Sequence, residues 1–127
     1  MHIPSNKLNG TGLRRIVKAA ECSFQGLKAA WLYESAFRQE LLLCAFLVPG
    51  SFLLKQSSLH WLALTISLLF LLFAEIVNSA LEALADSISL EHHPLIGRAK
   101  DMGSAGVFIA MTVVGLIWGE ALWRYIV

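Results

Sequence analysis

The 127 residues are 57% apolar and only 15% charged, with a formal net charge of +1 and a mean hydropathy of +0.64, which is too apolar for a soluble domain wrapped round one core. The near-neutral balance excludes a nucleic-acid binder acting through its whole surface, because phosphate neutralisation needs a concentrated basic excess. Cys22 and Cys44 lack the spacing of a zinc site and are read as thiols at or within a membrane.

In chain order, the first predicted element is a basic amphipathic helix over about residues 8–28. Leu13, Ile16, Val17, Ala20, Phe24 and Leu27 recur at helical spacing, with Arg14, Arg15, Lys18 and Gln25 opposite. Such a helix suits an anionic membrane surface; the alternative is a cytoplasmic helix packed on its neighbours. No apolar run of signal-peptide type follows its basic residues, so no cleaved leader is expected.

Three apolar stretches follow, 41–54, 59–74 and 105–118. Each is shorter than the roughly 20 residues of a lone span, so a buried soluble three-helix core is the rival reading. Residues 59–74 are apolar on all sides apart from His60, Thr65 and Ser67, which favours hydrocarbon over a one-sided core. The expected fold is therefore an all-α integral membrane protein, one domain over 1–127, with membrane helices at about 34–54, 59–86 and 98–124. Lys7, Arg14, Arg15, Lys18, Lys28 and Arg38 precede the first span, and Arg98 and Lys100 precede the third, whereas only Lys55 and Arg124 fall on the other side. This asymmetry predicts a cytoplasmic N-terminus, an outward turn at Pro49-Gly50 and an outward C-terminus.

The second span runs without a breaker into Glu75-Ile-Val-Asn78-Ser-Ala-Leu-Glu82-Ala-Leu-Ala-Asp86. Glu75, Asn78, Glu82 and Asp86 share one helix face, within an arc of roughly 80°. If the helix enters near Leu59, Glu75 lies about 24 Å across a core of about 30 Å, just inside the cytoplasmic boundary, and Glu82 lies just outside it. An ionisable group at that depth is a functional candidate, and its partial desolvation suits Glu75 to general-base work; pairing with a Lys or Arg of a neighbouring helix is the structural alternative. Glu34, Arg38 and Glu40 reach the same layer ahead of the first span, as do Arg98, Lys100, Asp101 and Ser104 ahead of the third. A carboxylate pair such as Glu34 and Glu82 offers hard ligands for Mg²⁺, which shares its octahedron with water and phosphate. Lys100 would neutralise phosphate charge. Neither a Walker motif nor a kinase Gly-rich loop is present.

Glu91-His92-His93-Pro94 reads by itself as a polar loop. Gly115 with Gly119, and Gly106 with Ala110, have the small-xxx-small spacing of close helix packing, while Trp118, Trp123 and Tyr125 suit an interfacial aromatic belt.

Together Arg15-Ile-Val-Lys-Ala-Ala20, Gly26-Leu-Lys-Ala-Ala-Trp31, Ala36-Phe-Arg-Gln-Glu40, Glu75 to Glu82 with Asp86, and Gly97-Arg-Ala-Lys-Asp-Met-Gly-Ser-Ala105 resemble the prokaryotic diacylglycerol kinase family. The resemblance covers nearly the whole chain after Thr11. It implies an ATP-dependent lipid kinase of the bacterial inner membrane that forms phosphatidate, acting as a homotrimer with sites shared between protomers. By the same resemblance Glu75 is the base, with Asn78 beside it, and Glu34 and Glu82 hold the Mg²⁺ that accompanies ATP. Arg15, Cys22, Glu91, His92, His93, Lys100 and Asp101 join Glu34 and Glu82 at the nucleotide. Ala36, Phe37, Arg38, Gln39, Glu40 and Ser104 border the lipid together with Glu75. Cys22 stands where an aromatic is expected beside the nucleotide, and Phe24 where a tryptophan is common, so a loosened base preference is expected. Two readings compete with the diacylglycerol kinase: an undecaprenol kinase of the same mechanism, and a non-enzymatic transport or assembly subunit using Glu75 in an ion path.

Overall fold

The computed structural model describes residues 11–127; Lys7 and the expected first residues of the surface helix, 8–10, lie outside them. Four helices follow in order, α1 (Gly12–Tyr33), α2 (Ser35–Leu54), α3 (Ser58–Ile88) and α4 (Pro94–Ile126). The last three are each long and apolar enough to cross a membrane, so the protein is an all-α integral membrane protein.

α1 starts at Gly12, whose φ of +61° is the left-handed conformation that a residue without Cβ adopts readily. It runs five residues past the expected end because Ala29-Ala30-Trp31-Leu32-Tyr33 contains no breaker. Its apolar stripe does not pack on other parts of the protein, since Leu13, Ile16 and Phe24 are 80%, 65% and 72% exposed. The alternative of a helix packed against its neighbours is thereby disfavoured; an unpartnered apolar face opposite Arg14, Arg15 and Lys18 is what a membrane surface would cover.

The expected turn at Pro49-Gly50 is replaced by continuous helix. α2 carries Pro49 internally and ends at Leu54, and the turn falls at 55–57. Proline is tolerated inside a membrane helix where nearby hydroxyls and neighbouring helices satisfy the disturbed backbone. Here the Ser51 hydroxyl donates to the Val48 carbonyl at 2.6 Å and accepts from Trp61 Nε1 at 3.0 Å. That second bond fastens the end of α2 to the start of α3, where Ser57 accepts the His60 N–H as N-cap.

At the other end, α4 begins four residues earlier than expected. His93 caps it by accepting the Leu95 N–H at 3.2 Å, and Pro94 takes the first helical position, where its missing N–H is no loss. With α3 reaching Ile88, the α3–α4 connection shrinks to 89–93. The two helices are about 46 Å and 50 Å long, at about 1.5 Å per residue, against a hydrocarbon core of about 30 Å. A turn or more of each therefore projects into the polar zone with its charged residues.

α3 and α4 make the largest helix contact, and α2 packs chiefly on α3. The core consists of Cys44, Leu54, Leu64, Leu68, Trp118 and Ala121. Small residues allow the close approach: Ala110 and Ala121 are fully buried. Trp118 lies inside this core, and its indole N–H is shared between the Leu64 carbonyl (3.2 Å) and the Ser67 hydroxyl (3.0 Å) of α3. It is thus a helix-locking residue, while Trp123 and Tyr125 stay exposed as expected of a belt. Leu42, Phe46, Leu69, Phe73, Phe108 and Leu116 are also exposed, each by more than 60%. Water would not tolerate so much outward apolar surface, which removes the soluble three-helix reading.

Candidate functional site

α1 and α2 meet at a joint of one residue. Glu34, with φ −115° and ψ 104°, both ends α1 and precedes α2, and its side chain makes no capping hydrogen bond. The joint is held from α2: Arg38 Nη1 donates to the Trp31 carbonyl at 2.7 Å and to the Leu32 carbonyl at 3.3 Å. These are orphan carbonyls of the last turn of α1, where the helix dipole also favours a cation. Arg38, expected beside the lipid, thus has a structural partner within the chain.

Glu34 lies at the end of a groove of about 400 Å³ between α1 and α3, whose lining includes Gly26, Ala29, Ala30, Ser79 and Ala80. Small residues on both helices leave this space. On α3, Glu75 is 6% exposed and accepts a hydrogen bond from the Ser79 hydroxyl at 3.3 Å. The charges of Glu34 and Glu82 both bear on Glu75, and that of Glu75 bears on Glu40. Four carboxylates from the joint, α2 and α3 therefore gather in one layer, and the expected alternative of a Lys or Arg partner for Glu75 is not what its contacts give.

Two polar atoms in that layer are buried without a hydrogen-bond partner among the described residues, Glu40 Oε2 and Asn78 Oδ1. The rest of the Asn78 amide is engaged, Nδ2 donating to Glu82 Oε1 at 3.4 Å. Phe37 is buried, Ala36 and Arg38 are half-buried, and Gln39 is exposed.

On the connection side, Lys100 pairs with Asp86 at 2.5 Å, bridging α4 to α3. Both side chains are close to half exposed, so the pair adds little stability; its effect is to hold Lys100 over the end of α3. Lys100, Gly97, Ser89, Glu91, His92 and His93 line one polar recess of about 310 Å³. The Glu91-His92-His93 loop and Lys100 are thus brought together, although they belong to separate sequence motifs. Asp101 and Ser104 are exposed on α4. Arg15 is not brought in: along α1 it stands about 16 Å from Gly26, the first residue of that helix to line the groove, while Cys22 lies one turn before Gly26.

Among the described residues, no three His, Cys, Asp or Glu side chains form a metal cluster. The donor set that is present, Glu34 and Glu82 around Glu75, consists of hard oxygens and fits an ion that takes one or two protein carboxylates and completes its shell with phosphate and water.

Sequence reasoning left three contributors out of the site. Ser79, one turn from Glu75, and Asp86, already on the acidic stripe, were both accessible to i,i+4 and cross-helix arguments. Gly103 had no such signal, since its importance lies in which residue it faces.

Fold and site together define a multi-pass membrane protein with a carboxylate cluster around the buried Glu75 and a polar recess at the α3–α4 connection. The family model described as prokaryotic diacylglycerol kinase matches residues 21–122. The chain is 44% identical over 117 residues to a diacylglycerol kinase of Escherichia coli, covering 92% of this chain and 96% of that protein. It is 43% identical over 112 residues to one of Haemophilus influenzae (88% and 95%) and 44% identical over 119 residues to one of Pseudomonas aeruginosa (94% and 97%). The chain belongs to the prokaryotic diacylglycerol kinase family. Membership makes it a membrane-embedded kinase, an enzyme class that needs a nucleotide co-substrate.

Proposed function

We propose that the protein transfers the γ-phosphate of ATP to the hydroxyl of diacylglycerol, forming phosphatidate at the cytoplasmic face of a bacterial inner membrane. The observation that carries this reading is the buried Glu75 within the long spanning helix α3, in a layer shared with Glu34, Glu40 and Glu82. A lipid alcohol can reach that layer sideways from the bilayer, and a water-soluble phosphate donor can reach it from the polar side. The names of the relatives favour diacylglycerol over undecaprenol as the acceptor.

In the proposed reaction the lipid oxygen attacks the γ-phosphorus in line. A new O–P bond forms, the bond from γ-phosphorus to the ADP oxygen breaks, and the hydroxyl proton passes to Glu75. Burial beside Ser79 gives the Glu75 carboxylate one fixed orientation, which is how a site built mostly on positioning gains its rate. Asn78 orients Glu82. Glu34 and Glu82 would hold Mg²⁺, whose contribution is to neutralise phosphate charge. Lys100 and the Glu91-His92-His93 recess, with Asp101, serve the nucleotide; Ala36, Phe37, Gln39, Glu40 and Ser104 border the lipid. Arg15 and Cys22 act on the nucleotide of a neighbouring protomer in a homotrimer, a reading supported for Arg15 by its distance along α1 from its own protomer's groove. Cys22 in an aromatic's place relaxes base selection. The basic N-terminal segment faces the cytoplasm.

The test is transfer of labelled phosphate from MgATP to diacylglycerol and to undecaprenol in mixed micelles, with wild-type and Glu75→Gln protein. Preferential labelling of diacylglycerol, falling at least about a hundredfold in the folded variant, is expected. Preferential labelling of undecaprenol would change the acceptor, and folded wild-type protein that labels neither lipid would refute the reading.

A further inference from the structure

Gly103 lies inside α4, where glycine is about 1 kcal/mol less favourable than alanine, so its presence calls for a reason. At Gly97, Gly106, Gly115 and Gly119 of the same helix an added Cβ would meet nothing within 4 Å. At Gly103 it would run into Asn78 Oδ1, with Leu81 Cδ1 next at 3.4 Å. The clash falls on the tip of one side chain, so alanine here would turn the amide of Asn78 rather than force the helices apart.

The orientation of that amide is chemically fixed. Its Nδ2 faces Glu82 Oε1, an oxygen that accepts when ionised, so the nitrogen must be on that side and the oxygen on the other. The oxygen is therefore directed at α4, buried and without a donor among the described residues. Asn78 lines an apolar groove of about 300 Å³ together with Phe70, Phe73, Met102, Gly103 and Gly106. An acceptor buried without a partner costs stability.

We propose that Gly103 is a positioning residue of the kinase site: by lacking a side chain on α4 it leaves room for Asn78 Oδ1 and so holds the amide with Nδ2 on Glu82. The inference rests on the function proposed above for its catalytic consequence, but not for its geometry. A methyl group at position 103 rotates the amide and releases Glu82, without touching the protein core.

The experiment compares wild type, Gly103→Ala and Gly119→Ala in detergent micelles by two readouts. Selective ¹⁵N-asparagine labelling reports the side-chain amide of Asn78, Asn6 and Asn9 being the other asparagines; steady-state kinetics with MgATP and diacylglycerol report turnover. Gly103→Ala is expected to shift the Asn78 amide resonances and lower kcat about tenfold or more, with both KM values within about twofold of wild type. Gly119→Ala, whose methyl enters open space, is expected to change neither readout. An Asn78 resonance unmoved in folded Gly103→Ala protein would overturn the proposal, as would a moved resonance with wild-type kcat. Inactive wild-type protein would overturn the catalytic reading instead, and the resonances would then decide the geometric one independently.

Discussion

Arg38 illustrates how one side chain acts through a backbone it does not belong to. Its guanidinium bonds to the carbonyls of Trp31 and Leu32 hold the last turn of α1, and so the direction in which the next joint presents Glu34. If Glu34 is a metal ligand, loosening the joint should affect the metal before the lipid. Arg38→Ala is expected to raise the Mg²⁺ concentration for half-maximal activity about tenfold, the scale on which the supports of metal ligands act. The lipid KM should stay within about twofold, and Arg38→Lys should recover part of the loss. A rise confined to the lipid KM would return Arg38 to a direct role at the lipid. Titrating MgCl₂ at fixed MgATP and lipid separates these outcomes.

At the level of the element, α3 and α4 are joined by polar contacts at two heights. Within the apolar packing Trp118 donates to Leu64 and Ser67; at the polar end the half-exposed Lys100 meets Asp86. The first has no water competing for it, the second does, so they should respond differently to mutation. Trp118→Phe keeps most of the apolar volume but removes the donor, and is expected to lower stability by about 1 kcal/mol, near the upper part of the range for such bonds in lipid. Unfolding in a graded sodium dodecyl sulfate titration would measure this, and an unchanged midpoint would show that the shared indole bond contributes nothing net. Pro49 belongs to the same scale. The sequence predicts a turn there, whereas the helix continues to Leu54, with the Ser51 hydroxyl bonded to the Val48 carbonyl of its own turn and tied to Trp61 of α3.

For the whole molecule, the arrangement of charged residues relative to the bilayer is what makes a site of the acidic stripe. Carboxylates gather at one end of the spans, while Arg15 remains some distance along α1. If sites are shared between protomers of a homotrimer, two variants inactive for different reasons should complement each other. Arg15→Ala and Glu75→Gln proteins, each nearly inactive alone, are expected to regain a measurable fraction of wild-type activity when denatured together and reassembled. Separately reassembled samples mixed afterwards form the control. No recovery from co-assembled protein would place complete sites within single protomers.

By itself the sequence favoured the membrane class, since residues 59–74 are apolar on nearly all sides; the outward leucines and phenylalanines of the structure removed the soluble alternative. The sequence by itself determined the alignment of Glu75, Asn78, Glu82 and Asp86, because helical periodicity alone puts them on one face. The family was legible in the motifs around those residues. Only tertiary structure decided that Arg38 would bond to the end of α1, that Trp118 would be a buried donor rather than a belt residue, and that Lys100 would join the histidine loop in one recess. The physical reason is common to all three: each depends on a partner in another helix or across a connection, and sequence spacing carries no information about which faces meet. Gly103 is the extreme case, a residue whose significance is the atom of Asn78 that occupies the space where its side chain would be.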